Sequence, residues 1–368
     1  MPIDKATKAA FGTPVAASTA GSGSKAGLER VAMGVRMGAW MEAFDSARAR
    51  GLLLCAAIAG LLTWPYFAVG SGTEFASDIV IYVIMAVGLY VQVGLLGLVN
   101  FGYSAFFGLG AYIGSLYMVK VSLALIPSLA LTIVLVSLVA LAIGAIALRA
   151  TGIAFVMITM TFSQLLYVIA LADDKWTNGV NGITGIRRPR LPDFMRRDLG
   201  MDLSTDAGFY YLCVACFLLV LLGVWLLQRS RMGAVFAGIR ENEERMQVLG
   251  YPVYLYKLVG FTMSGAIGGL AGYLNALLFG FAGPNSLFWT TSGEALLMVI
   301  LGGTGSLAGP IVGATIFTWL SHYATTITDH WRLIVGVVFI ALVLFAPEGL
   351  TALVRRRPRL RTAEEAGR

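Results

Sequence analysis

Apolar residues run along this chain in blocks of about 20, the length an α-helix needs to cross the roughly 30 Å hydrocarbon core of a bilayer. Blocks at 51–69, 77–97, 101–119, 124–148, 152–171, 208–228, 258–281 and 331–347 each predict one spanning helix. A further segment, 294–323, is also apolar but is interrupted by Gly302-Gly303-Thr304-Gly305-Ser306-Leu307-Ala308-Gly309-Pro310. Four glycines and a proline in nine residues do not make a regular lipid-facing helix. Unwound backbone at membrane depth is tolerated only inside protein or along a wet cavity. The expected fold is an all-α polytopic membrane protein with roughly eight full spanning helices and a broken or re-entrant segment at 294–323.

Composition supports this pattern and removes other classes. Of the 368 residues, 58% are hydrophobic and 13% charged, against about 45–50% and about 25% in soluble domains. The 44 glycines suit helices that pack closely in lipid. Three cysteines (Cys55, Cys213, Cys216), all in apolar runs, are too few for a disulfide scaffold. Cys213-Val214-Ala215-Cys216 has redox spacing, but no basic neighbour is present to activate a thiol, so buried membrane cysteines are expected. His322 and His330 are the two histidines, too few for a histidine-rich metal centre. No phosphate-binding G-x-x-x-x-G-K-[ST] occurs, and no signal peptide is visible. The net charge of +7 is met by basic loops beside a membrane without invoking nucleic acid.

Charge placement sets the expected topology. Residues 1–50 form an N-terminal tail whose first half reads as disordered, while Leu28, Val31, Val35, Trp40 and Phe44 suit one face of an interfacial helix. With this tail inside, nineteen of the 27 Lys and Arg fall on the inner side, in the tail, at Arg149, in loop 229–257 and in the basic tail 351–368. Eight fall outside: Lys120, six in the outer loop 172–207, and Arg332. The bias follows the positive-inside rule. A re-entrant 294–323, or an additional span there, returns Arg355, Arg356, Arg357, Arg359 and Arg361 to the inner side.

Little catalytic chemistry is on offer. Gly303-Thr304-Gly305-Ser306-Leu307-Ala308 matches a dinucleotide fingerprint, but no βαβ pattern surrounds it; a helix break with tightly packed GxxxG pairs reads better. Within 79–171 only Lys120 and Arg149 are charged, both at helix ends. Ion-coupled carriers usually keep ionisable groups at the midplane. An intramembrane enzyme needs a nucleophile–base pair or paired carboxylates in the spans, and neither is evident. The charge-dense inner loop is 229–257. There Val235, Ile239, Met246 and Leu249 stand at near-helical spacing, Arg240, Glu241, Glu243, Glu244 and Arg245 cluster between them, and Gly250 ends the run. This pattern predicts a short amphipathic helix suited to a partner's groove.

That loop resembles the E-A-A-x-x-x-G coupling element of ABC importer permeases, with Glu244 and Gly250 in the Glu and Gly positions and Arg245 and Met246 in place of the alanines. The stretch Gly97-Leu98-Val99-Asn100-Phe101-Gly102-Tyr103-Ser104-Ala105-Phe106-Phe107-Gly108 is similar to an early stretch of branched-chain amino-acid ABC permeases, with Tyr103 where the family often has His. Asn178-Gly179-Val180-Asn181-Gly182-Ile183-Thr184-Gly185-Ile186, the run from Ile239 to Leu258, the glycines from Gly302 to Pro310, and Ala346-Pro347-Glu348-Gly349-Leu350 resemble the same family in order.

The resemblance implies a permease domain over 51–350 in a bacterial inner membrane, with both termini cytoplasmic. It implies a sister permease, two cytoplasmic ATPases that hydrolyse the ATP, and an external binding protein that delivers a branched-chain amino acid or a related small solute. No cofactor is expected in this chain. The implied ATPase-coupling residues are Arg240, Glu241, Glu243, Glu244, Arg245 and Gly250, and the implied discontinuity is Gly302, Gly303, Gly305, Gly309 and Pro310. Asn100, Tyr103, Ser104, Ser163, Gln164 and Asn275, polar residues in apolar surroundings, are candidates for the solute route; helix-to-helix hydrogen bonding is their alternative role. The rival class is an ion-coupled carrier or channel with no ATPase.

Overall fold

The computed structural model describes residues 71–121, 124–188 and 205–327, with 330, 333, 336–337, 339–340 and 349–350 beyond them. The expected tails 1–50 and 351–368, the span 51–69 and most of the span 331–347 lie outside the described residues.

Six of the expected spans are helices long and apolar enough to cross a membrane. Helix α1 (Ser71–Tyr90) continues as a π-helical stretch Val91–Leu96, and α2 (Tyr103–Leu116) continues as another, Tyr117–Val121. Helices α3 (Leu125–Ala147) and α4 (Ile153–Ala172) follow. Helix α5 (Asp206–Arg229) is capped by Thr205, whose hydroxyl accepts from the Gly208 amide at 3.2 Å. Two short helices, α6 (Arg231–Glu241) and α7 (Glu243–Val248), lead into the 27-residue α8 (Val253–Phe279), which begins five residues before the expected start. Two further helices, α9 (Trp289–Gly302) and α10 (Ala308–Ile327), occupy the interrupted segment. The sheet content among the described residues is one antiparallel pair, β1 (Ile183–Thr184) with β2 (Phe281–Ala282), which ties the loop after α4 to the segment that follows α8.

Helix α8 is the central element, packed on α1, α2 and α3. Lipid tails are as apolar as a leucine side chain, so helices in a membrane are held by close van der Waals fit and small residues rather than by escape from water. The α2–α8 seam shows the device. A Cβ on Gly272 would run into the Phe107 carbonyl, and one on Gly110 into the backbone of Gly269. Along α1, Ile81, Ile84, Met85 and Leu89 are fully enclosed. Helices α3, α4 and α5 form the rim instead, exposing Leu138, Ile146, Met157, Leu165, Leu219 and Leu222 as a lipid-facing surface would.

The interrupted segment is a helical hairpin whose break is narrower than the glycine run. Gly302 belongs to α9, Gly309 and Pro310 to the first turn of α10, and the break is residues 303–307, with Gly303 at φ 97°. At 14 residues α9 is roughly 21 Å long, short of a full crossing. Helix α10 has 20 residues, but neither it nor α9 is among the six helices apolar enough to cross. No strand precedes the glycines; α9 does, which removes the context a dinucleotide fingerprint requires.

Candidate functional site

Three groups of residues carry the features of interest: the α6–α7 pair, a buried polar seam and the α9–α10 hairpin.

The α6–α7 pair forms because two side chains start its helices. The Ser230 hydroxyl accepts from the Gly233 amide at 3.3 Å, and Asn242 Oδ1 accepts from the Arg245 amide at 2.9 Å. Asn242 breaks the single expected helix in two, and Glu243 and Glu244 then sit in the first turn of α7, where the helix dipole favours negative charge. Gly250, at φ 86°, closes the unit, as expected from the sequence. On the buried side, Val235, Ile239 and Val253 form a small core with Met246 and Tyr256 against it.

Two polar contacts fasten this pair to the bundle. The Arg240 guanidinium donates to the Gly94 carbonyl in the π-helical stretch after α1. Its stem lies beside Gly97, whose left-handed φ of 73° ends that stretch. The Lys257 ammonium, buried near the start of α8, pairs with Glu243 Oε2 at 2.5 Å. The remaining members of the predicted coupling set, Glu241, Glu244, Arg245 and Gly250, are exposed. Beside them Val248 and Leu249 are 88% and 64% exposed, an apolar knob rimmed by charge. A cleft of about 580 Å³ opens between this pair, the 97–99 turn and the 150–152 turn, with Arg240, Glu243 and Lys257 on its wall.

The polar seam joins α2, α4, α9 and the 3₁₀ turn Pro284–Leu287. Ser163 donates to the Leu287 carbonyl at 2.7 Å and lies 2.7 Å from the Ser104 hydroxyl. The Ser104 amide donates to Ser292 Oγ at 2.7 Å, and the Ser292 hydroxyl donates back to Ser104 Oγ at 2.8 Å. Ser104 also reaches the Leu287 carbonyl at 3.1 Å. All three serines are 0% exposed and every hydroxyl proton has an acceptor.

Tyr103, equally enclosed, donates to the Ser264 carbonyl at 3.2 Å. Asn100 uses its Oδ1 to accept from the Gly102 amide at 2.7 Å, while its buried Nδ2 has no partner among the described residues. Gln164 Nε2 is likewise buried and unpartnered, and half-buried Asn275 takes no part in the serine cluster. The structure thus brings Ser104 and Ser163 together, while no hydrogen bond joins Gln164 or Asn275 to them. Ser292 and the Leu287 carbonyl complete the seam without having been expected. Buried Gln92, in the π-helical stretch after α1, was not expected either; its two side-chain polar atoms both lack partners among the described residues.

In the hairpin, a Cβ on Gly302 would strike the Gly309 backbone, and one on Gly313 the Met298 carbonyl. A Cβ on Gly349, from the expected closing motif, would strike the Gly303 backbone. The two arms therefore touch backbone to backbone. Cys213 and Cys216 are buried free thiols on α5.

Against known proteins, the family described as branched-chain amino acid transport system / permease component matches residues 71–344. The high-affinity branched-chain amino acid transport system permease protein LivM of Salmonella typhimurium (strain LT2) is 28% identical over 332 residues, covering 86% of this chain and 78% of that protein. LivM of Escherichia coli (strain K12) gives the same identity and coverage. The autoinducer 2 import system permease protein LsrC of Enterobacter sp. (strain 638) is 29% identical over 242 residues, 61% of this chain and 66% of its own. No solved structure matches.

Proposed function

The chain belongs to the family of branched-chain amino acid transport permease components, and on that premise we propose that it is the membrane-spanning subunit of an ATP-driven importer for a branched-chain amino acid or a related small solute. It is not itself an enzyme; ATP is hydrolysed on separate partner chains. The observation that carries the reading is the fastening of α6–α7: Arg240 holds α1 through the Gly94 carbonyl, and Glu243 holds α8 through Lys257. Both receiving helices belong to the packed centre of the bundle. A push on the exposed face, Glu241, Glu244, Arg245, Val248 and Leu249, reaches that centre directly. The complementary partner is an ATPase with a groove that accepts an apolar knob between opposite charges.

We place α6–α7 on the cytoplasmic side, with both termini, in a bacterial inner membrane, in keeping with the bias of Lys and Arg. A sister permease, two ATPases and an external binding protein complete the assembly. Of the route candidates, Asn100, Gln164 and Asn275 keep donors that are not spent on helix packing and suit solute contact. Ser104, Ser163 and Tyr103 hold helices together. The test of coupling is charge reversal, Glu244→Arg with Arg245→Glu. Loss of ATPase co-purification and at least a tenfold loss of uptake are expected, with the permease still folded. Full association and uptake in the double variant would remove the docking role.

A further inference from the structure

Helices α1 and α10 pack along their length. The Phe75 and His322 rings are 4.2 Å apart, and this contact sets their register. Nearly all of α1 follows Phe75 and nearly all of α10 precedes His322, so the two helices run antiparallel. One turn inward from that contact come Asp78 on α1 and Thr318 on α10, with Ser321 one turn of α10 away from Thr318 on the same side. Each has an enclosed oxygen without a hydrogen-bond partner among the described residues: Asp78 Oδ1, Thr318 Oγ1 and Ser321 Oγ. Thr318 is 6% exposed. Hydroxyls on membrane helices ordinarily bond the carbonyl one turn back, as Thr132 and Ser137 do on α3. Thr318 and Ser321 do not.

No Lys or Arg among the described residues pairs with Asp78. Tyr82, one turn further along α1, is within electrostatic reach of both Asp78 and Glu294 of α9. Cys213 of α5 is within reach of Asp78. A carboxylate removed from water takes up a proton or needs a donor or a cation, and a carboxylate with hydroxyl oxygens is a hard-oxygen set suited to a small cation.

We propose that Asp78, Thr318 and Ser321 form a binding site for a small monovalent cation. The cation is either an alkali ion or the ammonium group of a transported amino acid; the second source rests on the amino-acid reading above, the site itself does not. The site lies between helices of this one chain, near the start of α1 and the end of α10, and needs no ATPase to fill.

The test is thermal unfolding of the purified full chain in detergent at constant ionic strength. The salts compared are sodium chloride, methylammonium chloride and the bulky N-methylglucamine chloride. A saturable rise of several degrees in sodium or methylammonium over N-methylglucamine is expected, since a ligand of the folded state stabilises it. Sodium alone identifies an alkali-ion site and methylammonium an ammonium site; both support the proposal. Asp78→Asn abolishes the rise. Thr318→Val and Ser321→Ala raise the half-saturating concentration at least tenfold, a readout that stands if Asp78→Asn does not fold. Identical melting in all three salts, or an unchanged half-saturating concentration in the hydroxyl variants, overturns the site. No uptake is measured, so this result is independent of the transport reading.

Discussion

Ser163 shows how a polar residue in an apolar helix is spent. Its hydroxyl donates to Leu287 and meets Ser104, so one side chain joins α4, α2 and the turn before α9. Such a bond is worth on the order of 1 kcal/mol, and a buried acceptor left without its donor costs roughly 1–3 kcal/mol. Ser163→Ala leaves the Leu287 carbonyl with only the longer Ser104 contact. The variant is expected to lose about 1–2 kcal/mol of stability and to melt several degrees lower, while the half-saturating solute concentration for uptake stays within twofold. A tenfold change in that concentration without a stability loss would put the hydroxyl on the solute route instead. Glu243 and Lys257 follow similar logic at the α6–α7 end: the ammonium is the buried partner, so the pair acts as a positional clamp more than as a source of stability.

At the scale of elements, the α9–α10 hairpin makes the sharpest demand. Gly302→Ala drives a methyl into the Gly309 backbone, which the two arms can relieve only by separating. A cost of about 3 kcal/mol is expected from overpacking of this kind, read as a large drop in folded yield and melting temperature. Gly305→Ala is the control, because nothing lies near its added carbon and it is expected to melt like the parent. The same element shows what a sequence can and cannot reveal. Block length alone located the six described spans, because a membrane imposes one length on every crossing. The glycine run likewise marked a break, but not its width. Gly302, Gly309 and Pro310 are helical because α9 and α10 lend each other the space, a fact of packing absent from local pattern. Asn242 as a cap was legible, since Asn followed by two Glu is a helix-start signal, yet the apolar spacing masked it. Ser292 was not legible: a serine just ahead of an apolar block gives no sign that its partner is Ser104, 188 residues away. Asp78 stood inside a predicted span, and only its enclosed, unpartnered Oδ1 sets it apart from an interfacial carboxylate.

Over the whole molecule, the scarcity of charge becomes a division of labour. Among the described residues the spans are closely packed and, apart from Asp78 and Glu294, carry charge only at their ends, so they hold few groups of the kind ion-coupled carriers keep at the midplane. Most charges outside the tails gather in loop 172–207 and in 229–257, and in α6–α7 two of them fasten to the stretch after α1 and to α8. Energy is therefore expected to arrive through contact with another chain. The most direct measurement is uptake of labelled branched-chain amino acid into vesicles holding this permease and the sister permease proposed for it, with and without the proposed ATPases and internal ATP, in the presence of the proposed binding protein. Uptake that requires the ATPases and ATP and ignores sodium and proton gradients is the predicted result. Uptake driven by an ion gradient through the permeases alone would contradict it.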